Sequence, residues 1–275
     1  MRRGAPGGDD AAARAPAFCF APQDCLASLL MTRFLPRAEM TQPSMKTLCI
    51  LQHTEAEFLG LMEGHFESRA IPFHYARPFT VGGSVPREAG DFAGLVLLGA
   101  GPFGVVSGDL VPSLLAEYRL TQDFLRLGRP AIGIGVGASI LAIAAGGGAE
   151  EAPLRFTVGT AHRRLAGALC GHLPERHPIA LYMRDRPVLP PNAEILAVDD
   201  EGAPAIFGLA GNCLGFLGHP GIKSAMIEDL AMAFEETPED LAAGLARLRA
   251  QQGAMAEALS EIMVGVIKTT RLMEG

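Results

Sequence analysis

Between residues 46 and 145 short apolar runs, most of them closed by glycine or proline, alternate with stretches of helical spacing. Residues 46–52, 73–76, 94–99 and 131–134 read as strands. Phe58, Leu61, Met62 and Phe66 share a helical face, as do residues within 114–127 and 138–145. This alternation constrains the fold most. Strands separated by helices run parallel, because each connection must cross back over the sheet and cover one of its faces. The expectation is a doubly wound, mostly parallel α/β sheet whose loops gather beyond the strand C-termini, where such sheets bind ligands.

The pattern changes over residues 153–219 to short, proline-punctuated strands at 178–183, 193–197 and 205–208, which suggests a more antiparallel half. A helix is expected over 225–236. Thr237 can then cap a second helix, with Pro238 at its first position and Glu239 and Asp240 complementing its dipole. Leu241, Leu245, Leu248, Met255, Leu259, Ile262 and Val266 mark an apolar stripe that runs to about residue 272. Gly253 and Gly265 weaken that helix. The stripe suits either a cover over the sheet or a contact with a second copy or a partner subunit. Residues 1–44, rich in Ala, Pro, Gly and Arg, read as a disordered arm, with Met45 an alternative start. The division expected is therefore an arm (1–44), a main domain (45–236) and a helical extension (237–275).

Of the 275 residues 49% are apolar and 19% charged, enough to bury a large core. The net charge of −7, without a dense Lys/Arg block, argues against a nucleic-acid partner. Cys19, Cys25, Cys49, Cys170 and Cys213 show no CxxC spacing and form no even set, which suits a reducing, cytoplasmic setting. No apolar run has the length of a membrane span, and the N-terminal region lacks the apolar centre of a secretory signal.

Three segments carry a resemblance when taken in order. The opening strand ends Ile50-Leu51-Gln52-His53. Phe92 to Pro102 forms a strand followed by a glycine-rich loop. The third segment, Pro130-Ala-Ile-Gly-Ile-Gly-Val-Gly-Ala-Ser139, aligns with Pro-Val-Leu-Gly-Ile-Cys-Leu-Gly-Ala-Gln. Further on, Leu189-Pro-Pro-Asn-Ala-Glu-Ile-Leu-Ala197 stands before the last short strands, and Gly215-Phe-Leu-Gly-His-Pro-Gly221 is similar to a Gly-x-Gln-Phe-His-Pro-Glu motif. Together, over about residues 45–236, they resemble the class I glutamine amidotransferases, most closely proteins similar to the amidotransferase half of GMP synthase. The resemblance implies a flavodoxin-like fold and assigns Gly99, Ala100 and Gly101 to the oxyanion loop.

Amide hydrolysis in that family needs a thiolate on a sharp strand-to-helix turn, a histidine base and an acid that orients the histidine. The resemblance places the thiol at Gly135, the base at His219 and the acid at Gly221. It also places Val136, Ser139 and His219 in the pocket, with Ser139 replacing a glutamine. Two of the three functional groups are absent from the sequence, and glycine suits an elbow whose backbone other residues adopt only under strain. The expectation is a degenerate, non-hydrolytic homologue that serves as a binding or regulatory subunit and carries no cofactor or metal. The alternatives are an active glutamine amidotransferase- or hydrolase-type enzyme with a rewired site, or a nucleotide-binding protein that uses the turn from Gly133 to Ala138; a small-molecule ligand is compatible with each.

Rival readings attach to several residues. Gly133 to Ala138 also satisfies the G-x-G-x-x-G/A nucleotide fingerprint, with Glu150 or Glu151 as the ribose acid, although it follows several strands rather than opening the fold. Cys213, Cys49 and Cys170 read as buried structural thiols. His162, Cys170, His172 and His177 fall in a segment that reads as loop and do not match a compact zinc spacing.

Overall fold

The structure, a computed structural model, describes residues 47–273. The expected arm at 1–44, with Cys19, Cys25 and the start at Met45, lies outside the described residues. Strands β1 (Thr47–Leu51), β2 (Phe73–Ala76), β3 (Phe92–Leu97) and β4 (Ala131–Ile134) form where the apolar runs stand. Between and after them lie helices α1 (Met62–Glu67), α2 (Leu114–Arg126) and α3 (Val136–Ala144). The expected helix from Phe58 begins only at Met62, because residues 58–61 turn sharply with Gly60 at φ +62°.

Strands β5 (Gly148–Glu150), β6 (Arg155–Arg163), β7 (Arg176–Met183) and β8 (Arg186–Val188) follow. They are succeeded by β9 (Glu194–Val198), β10 (Pro204–Leu209) and β11 (Cys213–Phe216). The main sheet has nine strands in the order β2-β1-β3-β4-β11-β10-β9-β6-β7, and β5 pairs with β8 apart from it. From β2 to β11 all neighbours are parallel, and from β11 to β7 all are antiparallel. His162, expected in a loop, stands instead on β6, whose half-exposed residues show no clean alternation, and His177 stands on β7, which begins two residues before the strand expected at 178–183.

The two faces of β1 show why the parallel strands read as continuous apolar runs. Leu48 and Ile50 join one core with Val96, Ile132, Phe216 and Phe66, whereas Cys49 and Leu51 join another with Leu95, Leu97, Phe124 and Leu141. Helix α4 (Ser224–Ala233) and the 30-residue helix α5 (Leu241–Thr270) complete the chain. The helix expected from Pro238 begins at Leu241 with Asp240 at its cap, and Thr237 makes no cap bond. Leu248, Met255, Leu259, Ile262, Met263 and Val266 of α5 are buried within the chain. Gly265 strengthens this packing rather than weakening it, since an added Cβ would stand 2.6 Å from Leu169 Cβ and 2.7 Å from the Leu169 carbonyl oxygen.

Cys49 and Cys213 are buried, and burial pushes their thiols up to about 12 and about 11. Cys170, expected to be buried, is exposed, on a left-handed turn at φ +53° beside α5. Among the described residues no helix is long and apolar enough to cross a membrane.

At the β4–α3 turn two glycines are required for different reasons. Gly135 adopts φ +57°, ψ −123°, but a Cβ there would meet nothing nearer than Gly99 Cα at 3.6 Å. Gly137 has no such room, because a Cβ would drive into the Leu97 carbonyl oxygen of β3. Gly135→Ala should therefore cost backbone strain of about 2 kcal/mol. Gly137→Ala should cost about 3 kcal/mol or more through overpacking. Urea unfolding of the two variants measures the difference, and equal losses would contradict this account.

Candidate functional site

Beyond the C-termini of the parallel strands the chain assembles an elbow, a glycine loop and a histidine. The elbow is Gly135, whose N–H donates to the Phe216 carbonyl of β11 at 2.8 Å. A side chain at 135 would point between Gly99 Cα and the Tyr182 carbonyl oxygen, 3.6 and 3.9 Å away. The structure thus brings the position assigned to a thiol against the loop assigned to an oxyanion hole. Val136 and Ser139 are enclosed by the packing of α3, and Ser139 Oγ has no hydrogen-bond partner among the described residues. The fingerprint Gly133–Ala138 is tightly packed: a Cβ at Gly133 would lie 2.5 Å from the Gly137 carbonyl oxygen. Glu150, a candidate ribose acid, lies at the end of β5 opposite Arg186.

One short segment, residues 57–62, occupies the surroundings of this elbow. The Glu57 carboxylate accepts the Gly101 N–H and stands where a Cβ on Gly99 would be. The Phe58 carbonyl accepts from His219 Nε2 at 2.8 Å, while His219 Nδ1 accepts the Gly221 N–H at 3.1 Å. Both ring nitrogens are therefore engaged, in the neutral Nε2–H form. Burial holds the imidazole down at about 4, against the opposing pull of the Phe58 carbonyl. Leu61 donates its N–H to the Gly221 carbonyl at 2.8 Å. A Cβ on Gly221 would stand 2.6 Å from the Leu59 carbonyl oxygen and 2.8 Å from the Met62 nitrogen. The backbone of this connection thus excludes any side chain from position 221. His219 borders a void of about 20 Å³, room for about one water.

A buried ionic cluster supports the loop from behind. His53, just after β1, is hydrogen-bonded to the Gly99 carbonyl through Nδ1 (2.9 Å) and to Glu117 through Nε2 (2.7 Å). Both nitrogens donate, so the ring is an imidazolium. Burial opposes that charge, but the Glu117 carboxylate and the Gly99 carbonyl outweigh it and raise the histidine above its usual value. Burial likewise opposes ionised Glu117, yet His53 and the Ser113 hydroxyl hold its carboxyl below the usual range. Glu57 has weaker support. Burial pushes it up to about 7, with the Gly101 N–H and His53 offsetting part of the effect. Beyond Gly101, Arg184 Nε donates to the Pro102 carbonyl at 2.9 Å, and Asp185 accepts the N–H groups of Val105, Val106 and Ser107 at 2.8–3.2 Å.

The sequence motifs did not single out Glu57, Glu117 or the ionic role of His53. Glu117 carried a signal: it shares the inward face of α2 with Leu120, Thr121 and Phe124 at helical spacing. Glu57 carried none. His162, Cys170, His172 and His177 also fail to converge. His162 bonds Asp200 at 2.8 Å, and His172 bonds Lys268 at 2.8 Å. Among the described residues no group of three His, Cys, Asp or Glu side chains is placed to hold a metal.

A wide cleft of about 870 Å³ opens on the other side of the His53 connection. It is lined by residues 53–56, by Pro78 and Phe79 after β2, by Phe103 and Ser113, and by Asp229, Met232, Ala233 and Phe234 around the end of α4.

Two consequences are measurable. The folded chain retains the Glu57 proton that the unfolded chain gives up above about pH 4.5, so stability falls as pH rises from about 4.5 to about 7. The loss from this residue should be on the order of 3 kcal/mol. Glu57→Gln should remove it, seen as a flatter difference between variant and parent in chemical denaturation across that window. Glu117→Gln removes the charge that holds the proton on buried His53 and should cost about 3–5 kcal/mol of unfolding free energy.

Neither a protein-family model nor a curated protein matches the sequence. Solved structures do match the fold. A glutamine amidotransferase from Methylobacillus flagellatus superposes with a TM-score of 0.68 at 19% identity, covering 82% of this chain and 96% of its own. A glutamine amidotransferase from Thermotoga maritima gives the same TM-score and identity, covering 82% of this chain and 98% of its own. What is common at that identity is the architecture: the chain has the flavodoxin-like α/β fold of the glutamine amidotransferases.

Proposed function

We propose that this chain is a non-hydrolytic protein of the class I glutamine amidotransferase type, related to the amidotransferase half of GMP synthase, that serves as a binding or regulatory subunit. The observation that carries the reading is the placement of residues 57–62. Hydrolysis needs a nucleophile at the elbow, a free histidine nitrogen, an acid behind it and open donors for the oxyanion. Gly135 supplies no nucleophile, and Phe58 and Gly221 take both nitrogens of His219. Leu59 and Met62 leave no space for a side chain at 221, and Glu57 covers the Gly101 N–H. A carboxyl group at that donor withholds it from a developing oxyanion, and in its ionised form it also repels the oxyanion's charge.

A single missing thiol could be replaced from elsewhere. Four departures at one site, all but the first imposed by a single connection, favour a scaffold kept for binding. Its expected setting is the cytoplasm, within a larger assembly.

The test is glutamine turnover by the purified full chain. The parent protein should release no glutamate above the blank. Gly135→Cys should gain a thiol that alkylating reagents modify and still release none, because the base and the oxyanion loop remain engaged. Turnover by the parent that disappears in His219→Asn would overturn the proposal and favour a rewired enzyme.

A further inference from the structure

The wide cleft beside His53 belongs to a different part of the sheet from the elbow. Strand β1 pairs with β2 on one side and β3 on the other, so the connections leaving β1 and β3 part between these strands. In open α/β sheets such a parting leaves a crevice outside the strand C-termini, and ligands settle there. The volume of about 870 Å³ falls within the ~300–1,000 Å³ usual for small-molecule sites.

Its walls are aromatic and its free charges are negative. Phe103 and Phe234 meet edge to face, with centroids 5.7 Å apart and planes at 89°. Phe79 and Met232 also line the cleft, yet they are 39% and 77% exposed, a large apolar surface left to solvent. Glu55 and Asp229 contribute exposed carboxylates to the lining, and neither side chain has an ion-pair or hydrogen-bond partner among the described residues. The cationic group on the lining, His53, is already neutralised by Glu117 at 2.7 Å. The field in the cleft is therefore negative, over ring faces that themselves attract cations.

We infer that this cleft binds a small organic cation, an ammonium group carried on a flat or apolar body. The body replaces water against Phe79, Phe103 and Phe234, and the ammonium lies toward Glu55 and Asp229. An anionic ligand of the same shape meets two unpaired carboxylates and no available cation. A neutral one gains the walls but not the charge. The inference does not rest on the proposed loss of hydrolysis, because none of these residues belongs to the elbow, and the glutamine assay tests that reading separately.

The experiment titrates full-length protein with 2-phenylethylammonium, 2-phenylethanol and 3-phenylpropionate, following each probe by saturation-transfer NMR. The ammonium should bind, the alcohol about tenfold more weakly, and the carboxylate not detectably. A tenfold change corresponds to about 1.4 kcal/mol, the scale of one partly desolvated cation–π or ion-pair contact. Glu55→Gln combined with Asp229→Asn should lower ammonium affinity about tenfold and leave the alcohol unchanged, while Phe79→Ala should weaken both. These three side chains are at least partly exposed, so the variants should retain the parent's unfolding midpoint, which is measured alongside. Absence of ammonium binding, equal binding of ammonium and alcohol, or ammonium affinity unaltered by the double substitution would each overturn the inference.

Discussion

The closest constraint in this molecule is the packing of the first connection of the chain on one of its last turns. Leu61 donates to the Gly221 carbonyl at 2.8 Å, Gly60 faces that same carbonyl too closely for a Cβ of its own, and Leu59 and Met62 leave no room for one on Gly221. Once backbone meets backbone there, several other features are determined. The Phe58 carbonyl lies within reach of His219 and selects its neutral tautomer. Glu57, one residue earlier, is directed inward onto Gly101. Helix α1 cannot start until Met62, because the preceding residues are committed to this contact. The contact joins residues about 160 apart in sequence and so ties the parallel half of the sheet to the turn that leads into α4.

Such an arrangement confines charge in a region with little water. His53 and Glu117 compensate one another, and Ser113 and the Gly99 carbonyl use their remaining hydrogen-bonding capacity. A pair of this kind adds little net stability compared with an apolar replacement, but it penalises any rearrangement that separates its members. Its structural effect is to hold the Gly99 carbonyl from one side while Glu57 holds the Gly101 N–H from the other. Arg184 and Asp185 then anchor Pro102 and residues 105–107 of the same loop. A loop held at so many points is rigid for reasons internal to the chain.

What could be read in the sequence and what could not divide along physical lines. Parallel strands buried on both faces leave runs such as Leu48 to Leu51, which have no other use, so β1, β3 and β4 were legible together with the glycine elbow that follows β4. Strand β6 was not, because its half-exposed residues carry no clean alternation. The N-terminus of α5 was misplaced because Thr237-Pro238 has the chemistry of a helix start, whereas Pro238 begins a turn that leads into the helix only at Leu241. At the candidate site the elbow, the loop and His219 could be named from local patterns. The groups that decide their state could not: Glu57 and Glu117 act across 44 and 64 residues of sequence, where no spacing rule operates. Glu55 and Asp229 likewise carry no local signal, and only the fold places them on one cleft.

The conformation at Gly135 can be explained without catalysis. Its N–H is fixed by Phe216, and α3 must leave β4 at a steep angle for Gly137 to rest on the Leu97 carbonyl. The turn that meets both demands has φ +57° and ψ −123° at residue 135. A side chain at this position would add backbone strain that only a reaction could justify, and glycine removes the strain while leaving the turn in place. On the proposed reading the elbow persists because β4, β11 and α3 pack through it. On the same reading glycine at 135 spares the turn its backbone strain, while Glu57 occupies a Gly101 N–H that an active oxyanion loop would need free.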